Sequence, residues 1–207
     1  MDSYTANIIN SVIQGLIALG TISLALVALW GDWFMDKLGG PKLKIEPHDF
    51  FGNLAKFGDG TTGIYYHIKV INLSKRKWIP AKNVSILVKE IYIKGENGIF
   101  KEKRIIVPYH LTWSPKEFSP TFQTFKNEKI CAICFIKEGA NKVDLSLYWY
   151  PFNYEGLIGP QETARIKLEI EAENCVSENP YLVELSWDGT WTNNPDEMEK
   201  HFFINLL

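Results

Sequence analysis

The sequence predicts a mainly β protein, an antiparallel β-sandwich preceded by a single N-terminal transmembrane α-helix. Three observations carry that expectation. An uncharged apolar run of 23 residues extends from Ile8 to Trp30. At Gly39-Gly40-Pro41 the residue pattern changes from helical to alternating. Beyond that point short alternating segments follow one another, separated by turn residues and with no helix between them, as in stacked antiparallel sheets. The expected division is a helix with its juxtamembrane end over residues 1–36, a hinge over 37–41 and the sandwich over 42–207.

At 1.5 Å per residue the apolar run reaches about 35 Å, against roughly 30 Å of bilayer hydrocarbon. Trp30, Trp33 and Phe34 cluster at its end, where amphipathic rings favour the headgroup layer. A signal peptide fits poorly: no Lys or Arg precedes the run, and no small-residue cleavage site follows it before Trp30. At about 100° per residue, Asn7, Asn10, Ser11, Gln14, Ala18, Thr21, Ala25, Ala28 and Asp32 fall in one stripe, with Asp36 continuing it. The opposite side carries Ile8, Ile9, Val12, Ile13, Leu16, Leu19, Leu26, Val27 and Trp30, interrupted by Gly20 and Ser23. Amides in hydrocarbon cost free energy unless they meet a partner or water. The stripe therefore points to helices that pack on copies of themselves or line a wet space.

The flanks orient the span. No basic residue precedes it, whereas Lys37, Lys42 and Lys44 follow. Positive charge prefers the cytoplasmic side, which places the N-terminus outside and the C-terminal domain in the cytoplasm of a bacterial inner-membrane protein. Cys131, Cys134 and Cys175 form an odd set that cannot pair completely, which suits a reducing compartment.

From Pro41 onward the strands read in order. Lys42 to Glu46 is a first candidate, and Tyr66, Ile68 and Val70 alternate loosely. Val84 to Ile93 alternates with a change of parity at Lys89-Glu90, the mark of a bulge. Arg104–Val107 and Thr121–Phe125 are shorter candidates, and Ile130 to Ile136 is apolar on both faces, as a central strand is. Val143, Leu145, Leu147 and Trp149 alternate. So do Ala164, Ile166, Leu168, Ile170 and Ala172, and Tyr181, Val183, Leu185 and Trp187. His201–Leu206 closes a set of nine or ten strands, with a helical turn expected around Asp196–Glu199. The stretch Val70-Ile-Asn72 and Ala81-Lys-Asn-Val84-Ser-Ile86-Leu-Val88 resembles paired strands of bacterial immunoglobulin-like modules.

The net charge of −2 hides two opposed blocks. Residues 73–104 carry a net charge of +6, whereas 141–207 carry −8. The first block has two basic tips, Lys75, Arg76, Lys77 and Trp78, and Lys101, Lys103 and Arg104. Such tips can grip the phosphates of a nucleotide or single-stranded oligonucleotide, with the tryptophan stacking on a base. They can equally touch anionic membrane lipid or remain solvated turns.

Cys131-Ala-Ile-Cys134 has the spacing of a metal or redox pair but lies in a strand, where side chains three apart point to opposite faces. No second pair or nearby histidine completes a zinc set, so buried structural thiols are expected and no metal. His67 reads as a half-buried structural residue on a strand, and Trp187-Asp-Gly-Thr-Trp191 as tryptophans that close off the core at a turn. No phosphate loop, nucleophile elbow or paired-carboxylate motif is present, so neither an enzyme nor a cofactor is expected.

Two functions fit the stripe. In one, a homo-oligomer, with a tetramer favoured, encloses an ion pore lined by stacked amide rings. The β-sandwich assembles it and senses a ligand. In the other, Ser11-x-x-x-Gly15 lets two helices approach closely, and the sandwich is an anchored binding module for a protein partner or anionic lipid. The layout, one polar-striped N-terminal span ahead of a β-rich domain, resembles that of bacterial anti-phage defence effectors. It is similar to the membrane component of Hailong-type systems. That resemblance implies a tetrameric channel gated by a DNA oligomer, whose ion flow halts growth of an infected cell.

Overall fold

A computed structural model describes residues 3–73, 80–103, 108–125, 127–152, 154–175 and 180–207. The chain divides into two compact units, 1–40 and 41–207. The first is α1, Ser3–Gly39, whose side chains are described from Ile8 to Gly31. It runs three residues past the expected end, so residues 37–39 are helix rather than hinge. It stops where Gly40 precedes Pro41, because a residue before proline is pushed out of the α region.

The second unit holds twelve strands among the described residues. In chain order they are β1 (Leu43–Lys56), β2 (Thr62–Asn72), β3 (Ala81–Lys94), β4 (Phe100–Lys103), β5 (Tyr109–His110) and β6 (Thr112–Ser114). There follow β7 (Phe122–Phe125), β8 (Glu128–Lys137), β9 (Asp144–Leu145), β10 (Glu162–Glu171), β11 (Tyr181–Trp187) and β12 (Phe202–Leu206). A short helix α2, Pro195–Met198, sits before β12. All pairings are antiparallel. One sheet has the order β1-β2-β8-β6, with β9 also on the outer edge of β8. The other has the order β12-β11-β10-β3-β4, with β5 and β7 also on β3. This mainly β, two-sheet antiparallel arrangement behind one apolar helix is the expected class.

The alternation places the core. Ile64, Tyr66, Ile68 and Val70 of β2 are fully buried, as are Ala164, Ile166, Leu168, Val183 and Leu185 of β10 and β11. Each valine, leucine or isoleucine so buried contributes about 1.5–3 kcal/mol relative to exposure. The two sheets meet in contacts such as Tyr66 against Phe202, with ring centroids 4.4 Å apart. The expected bulge in β3 is present. Glu90 opposes Lys167 and Val88 opposes Leu168, which leaves Lys89 as the extra residue. β8 has paired neighbours on both sides, as its unbroken apolar run implied.

Four expectations change. β1 continues ten residues beyond Glu46, bending through register shifts around Asp49. Gly52 makes the bend possible, since at φ 89° a Cβ there would come within 2.3 Å of Ile64. The strand expected through Val143–Trp149 is only two residues long. Val143, Leu145 and Leu147 are buried, but Trp149 lies on the surface. β2 and β3 are not ladder partners, as the immunoglobulin-like resemblance suggested, but belong to different sheets. Finally, Cys131 and Cys134 do not point to opposite faces. Cys131 opposes Ile68 and Cys134 opposes Tyr66, with a register shift between, so the extra residue turns both thiols toward the core. The candidate strand at 104–107 lies outside the described residues.

Burial pushes both of these thiols well above the ordinary cysteine range. Since the thiolate is the reacting form, we expect iodoacetamide to alkylate the partly exposed Cys175 in the folded protein. Cys131 and Cys134 should react only after denaturation, as read by mass spectrometry of the labelled peptides.

Candidate functional site

The helix stripe is the first candidate. Asn10, Ser11, Gln14, Ala18, Thr21, Ala25 and Ala28 are all exposed on α1. The side chains of Asn7, Asp32 and Asp36 lie outside the described part. From Ile8 to Gly31 the helix is long and apolar enough to cross a membrane, and none of that window is buried. The Thr21 hydroxyl donates to the Ile17 carbonyl at 2.9 Å, so it is satisfied within its own helix. The Asn10 and Gln14 amides have no hydrogen-bond partner among the described residues. Among the described side chains, the demand for an external partner is thus concentrated in the N-terminal half of the stripe. Between Thr21 and Asp32 the stripe carries only the small side chains of Ala25 and Ala28.

The basic tips fare differently. Lys75, Arg76, Lys77, Trp78 and Arg104 lie outside the described residues. Lys101 and Lys103 lie two apart on the exposed strand β4, and the Lys103 ammonium donates to the Gly156 carbonyl at 3.2 Å. Much of the remaining charge is matched across the β3–β10–β11 ladder. Lys89 pairs with Glu171 at 2.9 Å and Glu169 at 3.4 Å, Lys167 with Glu90 at 2.6 Å, and Arg165 with Glu184 at 2.7 Å. Some of the opposition between the two charged blocks of sequence is therefore cross-strand complementarity within one sheet, worth little individually at the surface.

The third candidate was not anticipated from sequence. A cavity of about 830 Å³ lies on the face of the first sheet opposite the core-facing residues of β2. Its aromatic part is a cluster of Phe57, Tyr65 and Phe135, with ring centroids 5.1–5.3 Å apart. Gly63 leaves room for it, since a Cβ there would meet the Phe57 ring at 2.4 Å. Two further rings, Tyr150 and Tyr154, come from the segment after β9. That segment is pinned to β9: the Tyr150 hydroxyl donates to the Leu145 carbonyl at 2.8 Å, and the Leu145 N–H donates to Tyr154 Oη at 2.7 Å. Burial raises the Tyr150 hydroxyl to about 12 and that of Tyr154 further in the same direction. Both therefore present neutral rings to the cavity.

Among the polar groups lining it, the Thr112 and Ser146 hydroxyls bond to each other. Lys137 sits 4.3 Å over the Phe57 ring and 3.4 Å from the Asp59 carboxylate. The Asp144 carboxylate is half-buried and makes no hydrogen bond or ion pair among the described residues. Burial raises its carboxyl above the ordinary aspartate value, with Lys137 and Lys142 acting in the opposite direction. Lys116 also lacks a carboxylate partner there; its ammonium lies 6.0 Å from the Tyr148 ring centroid. His67, expected to be half-buried, is 7% exposed and lines this cavity. Trp187 does close off the core: it is 1% exposed and its indole N–H donates to the Thr190 carbonyl at 2.9 Å. No protein-family model matches this chain, and no curated protein matches it.

The signal that could have located the cavity is the placement of aromatics. Tyr65 and Phe135 take positions on central strands where an outward side chain facing water would be polar. The run Tyr148-Trp149-Tyr150-Pro151-Phe152 concentrates rings in one loop. Neither pattern says which rings converge, because the rings come from segments nearly 100 residues apart.

Proposed function

We propose that this chain is a homo-oligomeric membrane pore of the anti-phage effector type, four copies being the favoured number. In this reading α1 crosses the bacterial inner membrane with its N-terminus outside, and the cytoplasmic β-sandwich assembles the ring and senses a nucleotide-like ligand. One observation supports it above the others: a largely apolar helix carries the Asn10 and Gln14 amides on one side with no hydrogen-bond partner for them among the described residues. In hydrocarbon each such amide costs several kcal/mol, a cost removed when sister helices turn the stripe toward a shared hydrated axis. The test is the copy number of the detergent-solubilised protein by mass photometry or light scattering. A closed ring of four or more supports the pore, and a strict monomer overturns it.

A second reading has its own support. The satisfied Thr21 hydroxyl and Ala25 and Ala28 after it put no polar demand on the stretch of the stripe between Thr21 and Asp32. Gly15, four residues after Ser11, has open space where a Cβ would stand, so another backbone can approach closely there. A stable dimer in the same measurement selects this anchored binding module.

A further inference from the structure

We propose that the cavity on the outer face of the first sheet binds one small planar heteroaromatic molecule that carries N–H donors and an acidic group. This refines the sensor half of the reading above and does not depend on whether α1 forms a pore. The volume of about 830 Å³ falls in the range of small-molecule sites, roughly 300–1,000 Å³. It holds a single ring system with its substituents, not an extended strand.

The chemistry follows from which groups are already engaged. Tyr150 donates its hydroxyl to the Leu145 carbonyl and Tyr154 Oη accepts from the Leu145 N–H, and the Thr112 and Ser146 hydroxyls bond to each other. What Tyr150, Tyr154 and the Phe57–Tyr65–Phe135 cluster chiefly offer is ring surface, which suits a flat partner. Two charged groups remain. Asp144 is a half-buried acceptor without a donor among the described residues, and an under-hydrated acceptor gains from any donor placed against it. Lys137 and Lys142 already act on it electrostatically. The surroundings are therefore not net negative, and a neutral ring N–H or amino group suits them better than an ammonium. Lys116, without a carboxylate partner among the described residues, complements an acidic substituent at the same cavity.

Two sources share this chemistry, a purine mononucleotide and an indole-type carboxylate. Isothermal titration of the detergent-solubilised full-length protein with guanosine 5′-monophosphate and, separately, with indole-3-acetate distinguishes them. We expect saturable binding of one probe. Asp144→Asn should weaken it about tenfold or more with the melting temperature unchanged or raised, and Lys116→Gln should weaken it and flatten its salt dependence. No saturable heat with either probe at millimolar concentration overturns the proposal. So does an affinity that neither substitution changes. Binding that depends on Asp144 but never alters ion flux supports this site and overturns the sensor reading instead.

Discussion

Replacing Asn10 and Gln14 together with leucine is expected to abolish ion flux through the reconstituted protein without disturbing its insertion or the fold of the sandwich. The two residues are four apart and share one side of α1, one turn above the other. In a ring of helices they form two adjacent hydrated belts at the N-terminal mouth. Leucine at both positions converts the belts into apolar constrictions that exclude water. Flux in a liposome ion-efflux assay should fall at least tenfold. Insertion should become easier, since leucine favours and amides disfavour the hydrocarbon. The sandwich should melt unchanged, because residues 41–207 form a compact unit with a core of their own. Unchanged flux would reject the lining role of these amides. If instead the stripe is a dimer seam, the same substitution removes cross-helix hydrogen bonds worth about 0.6–2 kcal/mol. The dimer would then weaken while no conductance existed to lose.

The period of the apolar residues made the helix, the two-sheet architecture and most of the core legible. Ala164–Ile170 is the plainest case: four inward side chains alternate with charged ones, and all four are buried. The parity change at Lys89-Glu90 was readable for the same reason, since a bulge shifts which residues face in. What escaped were strands too short to show any period, such as β5 and β6, and structure that depends on a partner strand. The extra residue in β8 turns both cysteines to one side, and no spacing rule applied to β8 alone could reveal it. The cavity was hidden for a related reason. Phe57, Phe135 and Tyr154 are distant in sequence, and only the pairing of β2 with β8 and the anchoring of the loop to Leu145 bring their rings together. The charge blocks were visible but part of their meaning was not, because Lys89 finds Glu169 and Glu171, and Lys167 finds Glu90, across the ladder between β3 and β10.

Trp187→Ala should be the most destabilising single change in the sandwich described so far. The side chain is one of the largest that is fully buried, at 1% exposure, and it ends β11 opposite Glu162 on one side and Phe202 on the other. Its loss leaves a cavity between the sheets, at a cost of about 3–5 kcal/mol. It also removes the hydrogen bond that the indole N–H donates to the Thr190 carbonyl at 2.9 Å. Against a typical total of about 5–15 kcal/mol that is a large fraction. For a domain of this size the melting temperature should drop by about 10 °C or more. Trp187→Phe separates the two contributions. It keeps much of the packing, loses the hydrogen bond, and should cost well under half as much. Trp149→Ala is the control, since that ring is 72% exposed and its removal should shift stability by no more than about 0.5 kcal/mol. Thermal melts of the three full-length variants read the order directly. If Trp187→Ala and Trp149→Ala melt together, the β11 end of the core is not packed as described. The alternation of Tyr181, Val183, Leu185 and Trp187, from which its inward direction was inferred, would then have been misread.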